Sequence, residues 1–94
     1  MRTKQNTIAT EYEVRNIDAS GDAIDVYSFD NEEDALAQAK KLSRRGALAV
    51  AVEKHTYNRD FFCRLRDAVN EYEIISLRGN RDALVNGGWA PEEP

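Results

Sequence analysis

Residues 31–46 constrain the fold more than any other stretch, because they carry the signals of one complete amphipathic helix. Asn31, or Asp30 before it, can cap the first turn, and three acidic residues follow where anions offset the helix dipole. Gly46 supplies the left-handed residue that closes many helices. A narrow apolar stripe follows helical spacing: Ala35, Leu36, Ala39 and Leu42. So short a helix needs tertiary support, and we expect it to lie closely against a sheet.

Two strands are expected ahead of this helix. Apolar and charged residues alternate over residues 8–15 and again over 24–27, as in strands with one solvated face. Residues 18–22 between them have turn chemistry, and Gly21 is free to adopt a positive φ. Strand, glycine-containing turn and strand together predict an antiparallel hairpin.

The most apolar stretch follows the helix, at residues 47–52. Leu48, Val50 and Val52 are expected to face the helix, while the alanines between them face the other side of the sheet. A strand that is apolar on both faces is typical of a central position, or of a face covered by a second layer or a partner. Continuing the alternation defines a candidate interaction surface on this second face: Ala49, Ala51, Glu53, His55 and Tyr57.

The second half of the chain is less regular. Residues 58–70 favour a short helix capped by Asn58, although the same residues also allow a strand. Residues 71–78 predict a strand with Tyr72 and Ile74 pointing inward, and with Ile75 and Leu77 on the opposite face.

The last element is predicted at residues 81–86, as one helical turn that Gly87 and Gly88 would end. Trp89 would then fold back over the core. The elements together predict an α+β fold: a single mainly antiparallel sheet in the order β-β-α-β-(α)-β, with one main helix packed on one face. We expect one domain at residues 8–89, between a flexible N-terminus at 1–7 and a flexible acidic tail at 90–94.

Composition limits the classes of function. The chain has 94 residues and a formal net charge of −4, which disfavours a dedicated nucleic-acid binder. No apolar run is long enough to span a membrane and no signal peptide is apparent, so a cytoplasmic location is expected. Cys63 is the only cysteine, which excludes an internal disulfide.

Motifs for catalysis or cofactor binding are not found. The five glycines form no phosphate-binding loop, and one Cys with one His is too few for a zinc site within one chain. Cys63 is interpreted as a structural cysteine, and His55 as an exposed or interface histidine. Glu11 and Glu13, expected to share a face with Asp25, fit a solvated hairpin face better than an acid–base pair or a divalent-metal site. We therefore predict no catalytic residue, no metal and no cofactor.

Clustered basic residues support an alternative function. Positive charge interleaved with aromatic rings is the composition of a nucleic-acid surface, since phosphates pair with cations and bases stack on rings. The basic residues at the end of the helix also have a simpler cause in the helix dipole. The candidate basic patch consists of Lys40, Lys41, Arg44, Arg45, Arg64 and Arg66.

A non-catalytic protein-interaction module is the favoured function. Its alanine-rich second face would need a cover, and a second copy of the chain is the simplest one, which predicts a homodimer. Nucleic-acid binding through the basic patch is the alternative. The sequence is not identified with a characterised family. A short acidic α+β chain with a turn-rich hairpin and Gly-Gly-Trp near its end is similar in general character to small proteins of bacteria and their phages, and this likeness implies no residue roles.

Overall fold

The computed structural model describes residues 6–60 and 69–92, with side chains at 9–56 and 71–92. These residues form a four-stranded antiparallel sheet with a helix against each face, which confirms the α+β class. The described elements are β1 (Asn6–Ile17), β2 (Ala23–Phe29), α1 (Glu32–Arg44), β3 (Ala49–Asp60), β4 (Val69–Gly79) and α2 (Arg81–Asn86).

The strand order is β2-β1-β3-β4, and each neighbouring pair is antiparallel. The predicted central position of β3 is confirmed, because β3 lies between β1 and β4. β2 and β3 run parallel to each other but are separated by β1, so the connection through α1 crosses over one strand. The edges of the sheet are β2 and β4.

Helix α1 forms as its sequence predicts. Asn31 is the N-cap and its Oδ1 accepts a hydrogen bond from the backbone N–H of Asp34 at 2.8 Å. Ala35 and Ala39 are fully buried against the sheet, where Val50 and Val52 belong to the same cluster. Alanine lets the helix backbone approach the sheet closely, which is why so narrow a stripe suffices.

A second core lies on the other face. There α2 covers Ala49 and Ala51, which are 1% and 0% exposed, and Ala83 and Leu84 of the helix contribute the facing apolar surface. The expectation that the alanine side is an open interaction surface is therefore wrong at these two positions. Small side chains leave room for a short helix to lie on the strand, so the chain itself supplies the cover.

The tail after α2 belongs to this core. Trp89 packs against it and donates from its indole Nε1 to the carbonyl oxygen of Gly21 at 2.9 Å, so the predicted folding back of Trp89 is confirmed. Ala90 is also buried, at 6% exposure, although the predicted tail included it. At the other end, β1 begins at Asn6, within the predicted flexible segment.

The start of β3 differs from the prediction. The backbone N–H of Ala47 donates to the carbonyl of Leu42 at 3.0 Å, so the closing turn of α1 extends to Ala47. Strand alternation therefore begins only at Ala49. Leu48, expected to face the helix, is 41% exposed, and Ala47 packs on the α1 side of the sheet.

The two faces of β4 also differ from the prediction. The β3–β4 register shifts between Val52 and Glu53, because Ser76 pairs with Val52 while Ile74 pairs with Glu53. The extra residue, Ile75, packs against the α1 core, and Ile74 lies on the second face. This bulge reverses the predicted orientation of the two isoleucines.

The predicted helix at 58–70 is wrong at both ends. Asn58, its proposed cap, pairs with Ile8 of β1 and Val69 of β4, so the chain is still in β3 at that point. The middle of the proposed helix, residues 61–68, lies outside the described residues. Within the described ranges, neither helix has the length and apolar character that crossing a membrane requires.

The contact between the β1–β2 turn and the end of α2 predicts a strong effect of Gly21→Ala. Gly21 has φ +94°, and a Cβ there would lie 2.2 Å from the backbone N of Gly87. Gly46 is the matched control, since it has φ +98° but a Cβ added to it would meet no heavy atom within 4 Å. Both variants incur the strain of positive φ, about 1 kcal/mol, and Gly21→Ala adds a backbone clash. Urea unfolding should therefore show a larger loss for Gly21→Ala, and equal losses would contradict this contact.

The same turn predicts a pH dependence. Asp18 Oδ1 accepts from the backbone N–H groups of Asp22 and Ser20, each at 3.0 Å, and from Ser20 Oγ at 2.9 Å. These bonds, the one from Asp22 first, hold the pKa of the exposed Asp18 carboxyl below its ordinary value of 3.8. The charged form is favoured in the folded state, so its stabilisation is present above pH 3.8 and is lost as the pH falls through the lower folded-state pKa.

Asp18→Asn keeps an oxygen acceptor and removes the charge. The free energy of unfolding should therefore fall less on acidification in Asp18→Asn than in the parent protein, as measured by urea titrations at several pH values. Asp25→Asn, at an exposed aspartate of β2, is the control. A parallel pH dependence in the parent and Asp18→Asn would contradict the role of the carboxylate.

Candidate functional site

Four charged or titratable side chains converge on the second face of the sheet, beyond the part that α2 covers. β1 contributes Glu13 and Arg15, and β3 contributes Glu53 and His55. Glu13 and Glu53 are direct cross-strand partners, and Arg15 and His55 each lie two residues along their own strand. Side chains two apart in a strand point to the same face, so the register alone brings the four together. We call them the charged cluster.

Hydrogen bonds join all four members of the charged cluster. Arg15 donates from Nε to Glu53 Oε1 at 3.1 Å and from Nη2 to Glu13 Oε1. His55 Nε2 lies 2.9 Å from the same oxygen of Glu53 and 3.6 Å from Oε1 of Glu13. Glu53 is only 7% exposed. Two facing carboxylates would repel each other, and the guanidinium between them offsets that repulsion.

Aromatic rings hold the two basic members in place. The His55 ring stacks on Tyr72 of β4, with ring centroids 5.6 Å apart and planes 26° apart. The guanidinium carbon of Arg15 lies 5.8 Å from the centroid of a Trp89 ring. Trp89 is itself fixed by its bond to Gly21, so the charged cluster is connected to the second core on one side and to the edge strand on the other.

The predicted interaction surface is only partly brought together. Glu53 and His55 lie in the charged cluster, whereas Ala49 and Ala51 are buried beneath α2. Tyr57 lies further along β3, and its side chain is outside the described part.

The expected grouping of acidic residues on the hairpin is also corrected. Asp25 pairs with Asn16, on the α1 side, and so does not share a face with Glu13. Arg15, Tyr72 and Trp89 were not predicted from the sequence as members or supports of the site. A signal for Arg15 is present in the sequence, since it lies two residues from Glu13 and so shares its face. Its contact with Glu53 of β3 follows only from the strand register.

The predicted basic patch is separate from the charged cluster. Its described members are exposed in the last turns of α1 and just beyond, on the opposite side of the sheet. These described members are Lys40, Lys41, Arg44 and Arg45. The other two members of the patch, Arg64 and Arg66, lie outside the described residues.

Exposed apolar side chains border the charged cluster along β4. Tyr72, Ile74 and Leu77 are 68%, 37% and 37% exposed, and their β3 partners His55, Glu53 and Ala51 place them on the second face. The short helix α2 covers Ala51 and leaves this border open. We call Tyr72, Ile74 and Leu77 the apolar border.

The chemistry of the charged cluster is that of proton exchange, anion–cation pairing or cation binding. Its carboxylates and imidazole are acceptors of protons and of metal ions, and none of its four side chains is a hydroxyl or thiol nucleophile. Comparison with family models, curated proteins and solved structures finds no match for this chain.

The buried position of Glu53 predicts a large effect of Arg15→Met. This change removes the guanidinium that pairs with the carboxylate of Glu53. That carboxylate, whose side chain is only 9% exposed, then loses its cationic partner. We expect the free energy of unfolding to fall by about 2–3 kcal/mol, against about 0.5 kcal/mol for Arg45→Met at an exposed position. Adding Glu53→Gln to Arg15→Met should recover part of the loss in a double-mutant cycle. Equal effects of Arg15→Met and Arg45→Met in urea unfolding would contradict the coupling.

Proposed function

We propose that this protein is a non-catalytic interaction module that forms a homodimer by pairing β4 with β4 of a second copy. The observation that carries the proposal is the apolar border, which lies along a strand at the edge of the sheet. Large apolar side chains exposed together favour a partner, and an edge strand offers backbone groups for pairing.

The edge itself favours β4 over β2. β4 has 11 residues against 7 in β2, and a longer edge offers more backbone hydrogen bonds to a partner. A two-fold axis between the paired β4 strands relates each strand to its copy in the partner. The two strands therefore run in opposite directions, so their pairing is antiparallel. The result would be one continuous sheet of eight strands.

Charge and face select a register for this pairing. Glu73 and Arg78 are the β3 partners of Lys54 and Val50, and so lie on the α1 side. Ile74 and Leu77 lie on the second face. An antiparallel register that puts Glu73 opposite Arg78 also puts Ile74 opposite Leu77, so every pair matches in face.

The two-fold axis doubles each of these contacts. A dimer in this register has two Glu–Arg pairs on one face and two Ile–Leu pairs on the other. Cross-strand pairs of these kinds contribute about 0.2–1 kcal/mol each. Charge complementarity thus supports a second copy of the chain as the partner.

Nucleic-acid binding through the candidate basic patch has less support. The described members of the patch offset the negative end of the α1 dipole, which accounts for their positions. The net charge of −4 opposes long-range attraction of a polyanion.

Charge reversal tests the proposed register. Glu73→Arg and Arg78→Glu each place like charges opposite one another twice per dimer, and each should raise the dimer dissociation constant about 10- to 30-fold. The combined variant Glu73→Arg/Arg78→Glu restores opposite charges and should restore most of the affinity. Light scattering over a range of concentrations measures the dissociation constants, and Asp25→Arg on the other edge strand is the control.

Each outcome bears on the proposal. A parent protein that stays monomeric at all concentrations would refute self-association, and a titration with DNA at low salt would then test the alternative. A dimer that both single reversals leave intact would show that another surface is used. Failure of the double reversal to rescue a weakened dimer would refute this register.

A further inference from the structure

We infer that Glu13, Glu53 and His55 form a binding site for a divalent transition-metal ion of the Zn²⁺ class. Its three ligands are not residues of the proposed dimer contact, and the site does not require dimerisation, although Tyr72 borders both. The inference is carried by the convergence of an imidazole nitrogen and two carboxylate oxygens, which all lie within 4.8 Å of one another.

The spacing of these donor atoms suits a small metal ion. Nε2 of His55 lies 2.9 Å from Oε1 of Glu53 and 3.6 Å from Oε1 of Glu13. Zinc bonds to nitrogen and carboxylate oxygen are about 2.0–2.1 Å long, so tetrahedral ligand atoms lie roughly 3.3 Å apart. The two observed distances lie on either side of that value, and small side-chain rotations would equalise them.

Burial and charge favour a cation at this position. The side chain of Glu53 is nine-tenths buried, and Glu13 faces it directly across the β1–β3 pair. The two carboxylates and the guanidinium of Arg15 together carry a formal charge of −1. Buried charges in proteins are paired or coordinate metals, and a divalent ion bound by both carboxylates would be a second cationic partner for them beside Arg15.

The surroundings of the three ligands are those of an organised site. Arg15 donates to both carboxylates and would orient them as a group outside the metal's own ligands. The Tyr72 ring fixes the plane of the imidazole, and Trp89 lies against Arg15. All three ligands project from the two central strands, where each strand is paired on both sides.

The donor set selects the class of metal. Imidazole favours zinc, nickel, copper or iron, whereas calcium and magnesium prefer oxygen donors alone. Three protein ligands would leave a coordination position for water. Cysteine and histidine alone are too few in this chain for such a site, but carboxylates brought together across two strands complete the donor set.

Calorimetric titration with Zn²⁺ tests the inference. The protein should be tag-free and carry Cys63→Ser, because a thiol would bind zinc by itself. The expected result near pH 7.5 is one Zn²⁺ per chain and a raised unfolding temperature. His55→Gln and Glu13→Gln should each weaken binding by about 10-fold or more, while Glu71→Gln, at an exposed carboxylate of β4, should leave it unchanged.

Three results would overturn the inference. These are an absence of Zn²⁺ binding, a stoichiometry well below one per chain, or an affinity that His55→Gln and Glu13→Gln do not change. Circular dichroism of each variant without metal separates loss of a ligand from loss of the fold. A titration of Glu73→Arg, which weakens the proposed dimer, separates the two proposals, since the monomer alone should still bind one Zn²⁺ per chain.

Discussion

The pairing of β1 with β3 is the interaction on which the rest of the structure depends. The two strands pair over all 12 residues of each, and this one register determines what meets on both faces. On the α1 side it brings Val14 against Val52, and on the second face it brings Glu13 against Glu53. A slip of one residue would move the valines to solvent and separate the carboxylates. The core and the charged cluster therefore arise from the same backbone hydrogen bonds.

The two faces of this pair are used differently. The α1 face is closed by alanine-mediated packing, whereas the second face is apolar under α2, charged in the middle and apolar again at β4. A buried ion pair contributes little net stability, because the cost of removing charges from water offsets their attraction. Apolar side chains of similar volume in place of the whole charged cluster would be close to neutral for folding, whereas removing one charged partner alone is costly. The charged cluster therefore adds little net stability to the sheet as a whole, although its members depend strongly on one another.

How much the sequence could predict depends on whether a signal is local. The capping residue Asn31 and the alanine stripe act within one helix, so α1 could be placed correctly without tertiary information. The reversed orientation of Ile74 and Ile75 arises from a bulge that forms between two strands, and no local pattern marks it. The cover over Ala51 was missed for a related reason, since the apolar surface of α2 is too small to predict where it packs.

The charged cluster lies beyond prediction for a further reason. Its β1 members are far from its β3 members along the chain, with a separation of 38 residues between Arg15 and Glu53, and only the register brings the two pairs into contact. The sequence does not determine the strand order, so the register between β1 and β3 could not be predicted from it. Composition indicated abundant carboxylates without distinguishing the one that becomes buried.

Tyr72 connects the proposed metal site with the proposed dimer edge, since it stacks on His55 while 68% of its own surface is exposed along β4. A second copy that contacted this ring would restrict the imidazole as well. If dimerisation thereby changed the affinity for metal, metal would change dimerisation by the same factor, because the coupling free energy between two binding events is shared.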